Sequence, residues 1–375
     1  MHERLLNYLR CPACGGRFGL ETFTAEPTNG HREIVSGLLL CEAGNHGYPV
    51  VRGVPRLLPD AFDMFGTEVA QFPLADATPE AVAHLRNARA GDAQAYDRRT
   101  RESFSNEWEQ HEVGDRTWGY DLDKRVETYF LRSVGFAPAQ LEGMLMLDAG
   151  CGNGSQSVAY TRFGLEVIAV DLSSGLEHGY AFRHRYPGAR PESVHFVQAD
   201  LQSPVLEPSS VDIIHSAGVL HHTPDTERTF RGLCPLVRPG GTFYVWLYKH
   251  ERFVTRPVNT LRALSTRVPP ATFARVARVL ADPFRVFTRV LNALGLRRYP
   301  RLSRREAALA LMDIFGAPHA HAHTYEEVVG WMRSEGFDEV WPCNETRRGF
   351  GACGRRASPV SAVAVADGDD VVRHA

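Results

Sequence analysis

The feature that most constrains this 375-residue chain is LDAGCGNGS, Leu147 to Ser155. An apolar, β-compatible run closes at Asp148, and glycines follow at positions 150, 152 and 154. Glycine permits a tight strand-to-helix turn and close ligand approach to the backbone. The helix beyond such a turn presents unpaired amide groups at its N-terminus. Four further runs, LEVIAVD, VHFVQAD, VDIIHSA and TFYVWLY, are short and apolar, as strands buried on both faces are. Helical segments separate them, which predicts an α/β fold with a parallel sheet and crossover helices. The G-x-G-x-G spacing departs from the dinucleotide pattern G-x-G-x-x-G and counts against a nicotinamide oxidoreductase.

Carboxylates mark the tips of successive strands. Asp171 ends the second run, where an acid can accept both hydroxyls of a ribose. Asp200 ends the third, in reach of an exocyclic amine, and Asp212 opens the fourth. Each alone reads equally well as a turn cap; the ordered set points to a nucleoside-type ligand. His221 and His222 follow the fourth run in GVLHHTPD. Ligands bind at the carboxyl ends of strands in such sheets, and histidine there can act as a general base near neutral pH.

In order and spacing, LDAGCGNG, VIAVDLS, FVQADL, DIIHSAGVLHHTPD and LVRPGGTFYVWLY resemble the class I S-adenosylmethionine-dependent methyltransferases, in their ubiquinone/menaquinone methyltransferase-like branch. The resemblance covers residues 101–250 and the segment 324–356. It implies a Rossmann-like seven-stranded sheet of order 3-2-1-4-5-7-6 with an antiparallel last strand. Carried over by position, Asp148, Gly150, Gly152 and Gly154 border the methionine part of S-adenosyl-L-methionine. Asp171 and Leu172 take the ribose, Asp200 and Leu201 the adenine, and Ser216, Ala217 and His221 the side near the sulfonium. His221 and Tyr248, at the end of the fifth run, are the catalytic candidates; in the family branch such a histidine often shapes the cofactor pocket without acting as base.

Seven cysteines without a secretion signal do not read as a disulfide framework. Cys11-Pro-Ala-Cys14 is a knuckle that can turn around one ion, and Cys41 with His46 completes a Cys₃His set of the structural zinc type. The alternative is a group of buried free thiols in a small domain. Residues 5–59 resemble the zinc-ribbon domain of the methyltransferase-activator type, which implies a closed Zn²⁺ site that supplies folding energy.

The organisation expected is a zinc-ribbon-like domain at 1–60 and a linker at 61–100 with one helix in TPEAVAHLRNARA. A cofactor-binding Rossmann-like domain follows at 101–250, then a helical insertion capping the substrate at 251–318. A helix and β-hairpin at 319–356 complete the sheet, and 357–375 form a disordered tail. Phe104, Trp108, Trp118 and Tyr120 cluster before the first strand as a lid or as core packing. Trp118, Tyr120, Tyr248, Asp313, His319 and His323 are the candidate substrate contacts.

Residues 249–305 hold 14 basic residues against Glu251 and Asp282. Arg275, Arg278, Asp282, Arg285 and Arg289 share one helical face; Val276, Val279, Leu280, Phe287, Val290 and Leu291 share the other, which packs inward if the arginine face is simply solvated. Pro283 is expected to kink or split the helix. A solvated face, a cap resting on an anionic membrane and an RNA contact all fit. All basic residues but Lys124 and Lys249 are arginine, a compositional bias that dilutes the signal.

The net charge of -2 argues for no polyanionic partner. No apolar run reaches the ~18 residues of a membrane span, so a cytoplasmic protein is the default, and a homodimer is compatible with the chain. The expected activity is methyl transfer to a small-molecule acceptor, a secondary metabolite or lipid-like compound with an O, N or C nucleophile. An RNA methyltransferase and a non-catalytic activator of a partner enzyme are the rivals. An Asn-Pro-Pro-Tyr type of motif is absent from the fourth strand, which counts against base-amine methylation.

Overall fold

Four strands open the chain, each antiparallel to the next: β1 (Phe18–Thr28), β2 (His31–Cys41), β3 (Gly47–Val51) and β4 (Val54–Leu57). The β3–β4 turn is the two residues Arg52 and Gly53, both at positive φ, as two-residue hairpin loops require. The computed structural model describes residues 1–28, 31–74, 77–79, 81–83, 98–111, 113–114, 116–117, 119–250, 255–295, 301–346 and 348–358. Most of the helix expected in TPEAVAHLRNARA, Trp118 and nearly all of the expected tail lie outside the described residues.

α1 (Arg98–Trp108) and α2 (Leu122–Val126, capped by the Asp121 carboxylate accepting from Lys124 N–H) lead into the central sheet. β5 (Leu145–Ala149), buried at every position, is flanked in parallel by β6 (Glu166–Asp171) and β8 (Val211–Ala217). β7 (Val194–Ala199) lies outside β6, and β9 (Val237–Tyr248) outside β8, again in parallel. The crossovers carry α3 (Ser155–Tyr160), α4 (Leu176–Phe182) and α5 (Thr226–Leu233).

α6 (Thr255–Ser265), α7 (Pro270–Ala293) and α8 (Arg304–Phe315) follow β9. α7 continues through Pro283 as one 24-residue helix; proline removes one N–H and costs ~3 kcal/mol in a helix interior, and packing of α7 on α8 offsets it. α9 (Tyr325–Ser334) starts at the Thr324–Glu327 capping box. β10 (Phe337–Cys343) and β11 (Gly349–Arg356) return as a hairpin, with β11 inserted antiparallel against β9.

The strand order is β1-β2-β3-β4-β7-β6-β5-β8-β9-β11-β10. Among the described residues the sheet thus has eleven strands: β7-β6-β5-β8-β9-β11-β10 follow the anticipated order 3-2-1-4-5-7-6 with β11 antiparallel, and β1 to β4 extend it beyond β7. Arg56 and Leu57 of β4 pair in parallel with Gln198 and Ala199 of β7, which joins the first sixty residues to the central sheet. Arg56 is fully buried at this junction. Its guanidinium donates to Gln198 Oε1 (3.0 Å) and Glu177 Oε1 (2.7 Å), so the buried charge is paired.

Candidate functional site

At the carboxyl ends of the parallel strands lies a cavity of about 600 Å³, within the range of ~300–1,000 Å³ usual for small-ligand sites. The glycine loop makes its floor. Gly152 sits at φ 59°, and a Cβ there would come within 2.6 Å of the Trp108 ring. Only a residue without a side chain lets α1 close over the loop. α1 presents Thr100, Phe104, Glu107 and Trp108 to the cavity; these fall at i, i+4, i+7 and i+8 and share one helical face. Phe104 and Trp108 thus cover the cavity, with Phe104 edge-on to His222 at 5.2 Å.

Asp171, at the tip of β6, organises the loop. Its Oδ2 accepts from Gly152 N–H at 2.7 Å, and its Oδ1 accepts from Ser173 N–H at 2.8 Å and the Ser173 hydroxyl at 2.6 Å. Burial pushes its pKa up against these bonds. Asp148 accepts the Ser157 hydroxyl at 2.6 Å, and Asp200 accepts from Gln202 N–H at 2.9 Å. Asp148, Gly150, Gly152, Asp171, Leu172, Asp200, Leu201 and Ala217 all border the cavity.

Three residues of the expected cofactor set do not. Gly154 caps α3 in the left-handed region, where a Cβ would meet Phe196 at 2.5 Å, so it serves packing. Ser216 is fully buried and donates to Ala149 O at 3.0 Å, tying β8 to β5. His221 is fully buried, its ring stacked on Tyr248 at 3.9 Å. Burial pushes its pKa well down, so it stays neutral. Asp212 lies at the opposite end of its strand, accepting from Leu145 N–H at 2.8 Å.

The neighbouring histidine takes the place expected of His221. His222 borders the cavity, and its Nδ1 lies 2.7 Å from His319 O. A carbonyl only accepts, so Nδ1 carries hydrogen and donates. Its Nε2 lies 3.4 Å from Asp313 Oδ1, while the Tyr248 hydroxyl donates to Asp313 Oδ2 at 2.5 Å. Burial alone would raise Asp313; the His222 ring, the Tyr248 hydroxyl and the Arg348 charge hold it below the ordinary carboxylate value. Tyr120, Tyr248 and Asp313 border the cavity. His319 and His323 act through their backbones: His319 O receives His222, and His323 N–H donates to Tyr248 O at 2.9 Å.

Glu107 and Arg125 also border the cavity and were not singled out from the sequence. Glu107 is buried, and one carboxylate oxygen has no hydrogen-bond partner. Burial raises its pKa well above the ordinary value, with Asp313 and Asp171 adding to the effect. A raised folded-state pKa means that stability is full at low pH and lost as pH rises toward that value. Glu107→Gln should therefore gain melting temperature over wild type as pH climbs from about 5 to about 8. Thermal scans of the ligand-free protein test this, and a constant gap would show that the carboxyl is not neutral. The signal in sequence was the i+7 spacing from Thr100, masked by the aromatics between.

A second cluster lies in the first sixty residues. Ligand atoms of Cys11, Cys14, Cys41 and His46 all fall within 4.8 Å of one another. Cys11 Sγ lies 3.6 Å from His46 Nδ1, and Cys14 Sγ 3.4 Å from Cys41 Sγ. Bonds of ~2.0–2.3 Å to a tetrahedral zinc ion need donor separations of this order, so the residues fit the ion. Cys14→Ser should abolish stoichiometric zinc and lower the melting temperature by on the order of 5 °C, measured by metal analysis and thermal scans.

Part of the chain is similar to known proteins. Residues 147–245 match the family model of a methyltransferase domain. The chain is 31% identical over 132 residues to an uncharacterized protein of Synechococcus sp., an overlap of 35% of this chain and 31% of that one. It is 32% identical over 116 residues to the ubiquinone biosynthesis O-methyltransferase of Cupriavidus pinatubonensis, covering 28% of this chain and 42% of that one. The matches thus span less than half of these relatives. Among solved structures it is similar, at a TM-score of 0.41 and 13% identity over 70% of this chain and 100% of that one, to a chain from a complex of the Haloferax volcanii Trm112 methyltransferase activator with a methyltransferase.

Proposed function

We propose that this protein is an S-adenosyl-L-methionine-dependent methyltransferase acting on a small acceptor that carries an acidic hydroxyl. The observation that carries the reading is the charge pattern of one cavity. Asp148, Asp171, Asp200 and Asp313 border it against Arg125 and Arg348, with Glu107 pushed toward its neutral form by burial. A cavity with more carboxylates than guanidinium groups suits a cationic ligand, because each charge taken from water needs an opposite partner. The G-x-G-x-G loop and the acids at strand tips suit its nucleoside part. Asp171 and Leu172 would hold the ribose, Asp200 and Leu201 the adenine, and Asp148 with Gly150 and Gly152 the amino-acid end. When bound, this donor supplies a methyl group already activated by a sulfonium.

The chain's own residues then have a defined task. Nδ1 of His222 is committed to His319 O, so proton exchange falls to Nε2, which faces Asp313 Oδ1 at 3.4 Å. Nε2 takes the proton of the acceptor hydroxyl, and Asp313 stabilises the resulting imidazolium. Tyr248, donating to Asp313, keeps that carboxylate ionised and fixed. The apolar side chains Leu302, Val219 and Trp246 exclude water from the same cavity. Holding the reactants at near-attack distance is worth up to ~7–11 kcal/mol.

The test is calorimetry with S-adenosylmethionine, S-adenosylhomocysteine and NAD. The first two should bind and the third should not; absence of binding by all three at millimolar concentration would sink the reading. Labelled methyl should then enter the metabolite fraction of extracts and not the RNA.

A further inference from the structure

α7 packs on the body of the protein with its smallest side chains. Ala274, Ala277 and Ala281 are buried against Ala307, Leu311 and Met312 of α8. The large apolar residues that a simply solvated arginine face would place in the core therefore point away from it. Of the ten large hydrophobic residues exposed among the described residues, nine lie on α6, on α7 or on Leu294, which caps α7. Val279 is 72% exposed, Phe287 55%, Val290 49% and Leu294 64%. Val276, Val279, Phe287, Val290 and Leu294 recur at helical spacing and form one stripe along a helix about 36 Å long.

A basic stripe runs beside it. Arg275, Arg278 and Arg289 are exposed and have no ion-pair partner among the described residues. The one acid on α7, Asp282, is taken by Arg285 (2.7 Å) and Arg304 (3.3 Å). An apolar stripe flanked by unpaired arginines is the pattern of a helix lying in the interface of a bilayer. In an antiparallel two-fold pairing of this helix with a second copy, each flank meets its own equivalent, arginine against arginine. An anionic lipid surface instead meets those charges with opposite ones. No helix among the described residues is long and apolar enough to cross a membrane.

We propose that the α6–α7 face is a docking surface for an anionic lipid bilayer, with the apolar stripe of α7 in the acyl boundary and its arginines among the headgroups. The inference deepens the proposed function at one point. α7 packs directly on α8, and α8 carries Ala310 and Asp313 of the cavity wall. A lipid-like acceptor drawn from the bilayer would therefore enter beside the proton-accepting group.

Co-sedimentation of the full chain with vesicles tests this. Wild type should bind phosphatidylcholine vesicles containing phosphatidylglycerol, bind phosphatidylcholine alone far less, and lose binding as salt rises. Val279→Gln/Phe287→Gln should weaken binding to the anionic vesicles by at least about tenfold, as should Arg275→Gln/Arg278→Gln/Arg289→Gln. These positions are exposed, and donor titrations of both variants should match wild type. Failure to bind anionic vesicles overturns the proposal. So does binding that needs the arginines but not Val279 and Phe287, which would mark a polyanion such as RNA. So does a wild-type dimer in sedimentation velocity that Val279→Gln/Phe287→Gln dissolves. None of these readouts uses the methyl donor, so vesicle binding and the methyltransferase reading can fail separately.

Discussion

Asp171→Asn should weaken S-adenosylmethionine binding by about a hundredfold or more. The carboxylate accepts at both oxygens, from Gly152 on one side and from Ser173 on the other. Asparagine offers one acceptor and one donor. Whichever way its amide turns, an N–H faces either the Gly152 amide or the Ser173 amide. Hydrogen bonds to a charged group contribute roughly 1.5–3 kcal/mol each, and ~1.4 kcal/mol is a factor of ten in affinity. The loss combines a missing ribose contact with a displaced glycine loop. Calorimetry reads the first, and amide hydrogen exchange at residues 150–154 reads the second. Unchanged affinity would mean that the ligand does not reach the tip of β6.

The second large effect should fall on turnover. Asp313→Asn should lower the single-turnover methyl-transfer rate by about 10²–10⁴-fold, the usual contribution of a positioned acid–base group. Donor affinity should stay within about threefold of wild type, because the proposed donor contacts lie along β5, β6 and β7. The carbonyl of His319 fixes the His222 tautomer whether or not Asp313 is charged. What the variant loses is the charge that stabilises a protonated His222 and the partner of the Tyr248 hydroxyl. Raising the pH should restore part of the rate, since an acceptor that ionises unaided needs no base. His222→Asn should behave alike. His221→Ala should act more weakly, by loosening the ring stacked on Tyr248. A variant at Asp313 that lost donor affinity but kept its rate would reverse the assignment.

The glycine loop and the acids at the strand tips were legible because their signals are local. A glycine loop after an apolar run and an acid at the end of the next strand are fixed by backbone geometry within a few residues. Asp171 and Gly152 accordingly face each other as the pattern requires. The histidine pair was not resolved. His221 and His222 occupy one short 3-10 turn, and adjacent residues of a turn point in different directions. Which one faces the cavity depends on Tyr248 and His319, 27 and 97 positions away. The orientation of α7 was left open for a related reason. Apolar periodicity locates a stripe but does not say which stripe the body of the protein selects, and alanine permitted the closer approach to α8. The pairing of β4 with β7 was also invisible, as parallel contacts between residues 56 and 198 leave no short-range trace. Arg56 between apolar neighbours was its one hint.

That pairing bears on how the chain can be cut. In a sheet of β5 to β11 alone, β7 would be the rim, with its amide and carbonyl groups in water. Here β7 is covered by β4, and Gln198 reaches from Arg56 on one side to Leu172 O on the other, at 3.1 Å. Leu172 borders the cavity. A truncation beginning near residue 100 would strip a fully buried strand of its neighbour, leave Glu177 without its guanidinium and open a sticky margin to self-association. The leading module is thus less an appendage than a selvedge, and loss of a metal held by its Cys11, Cys14, Cys41 and His46 should be felt as far as Leu172 at the cavity rim.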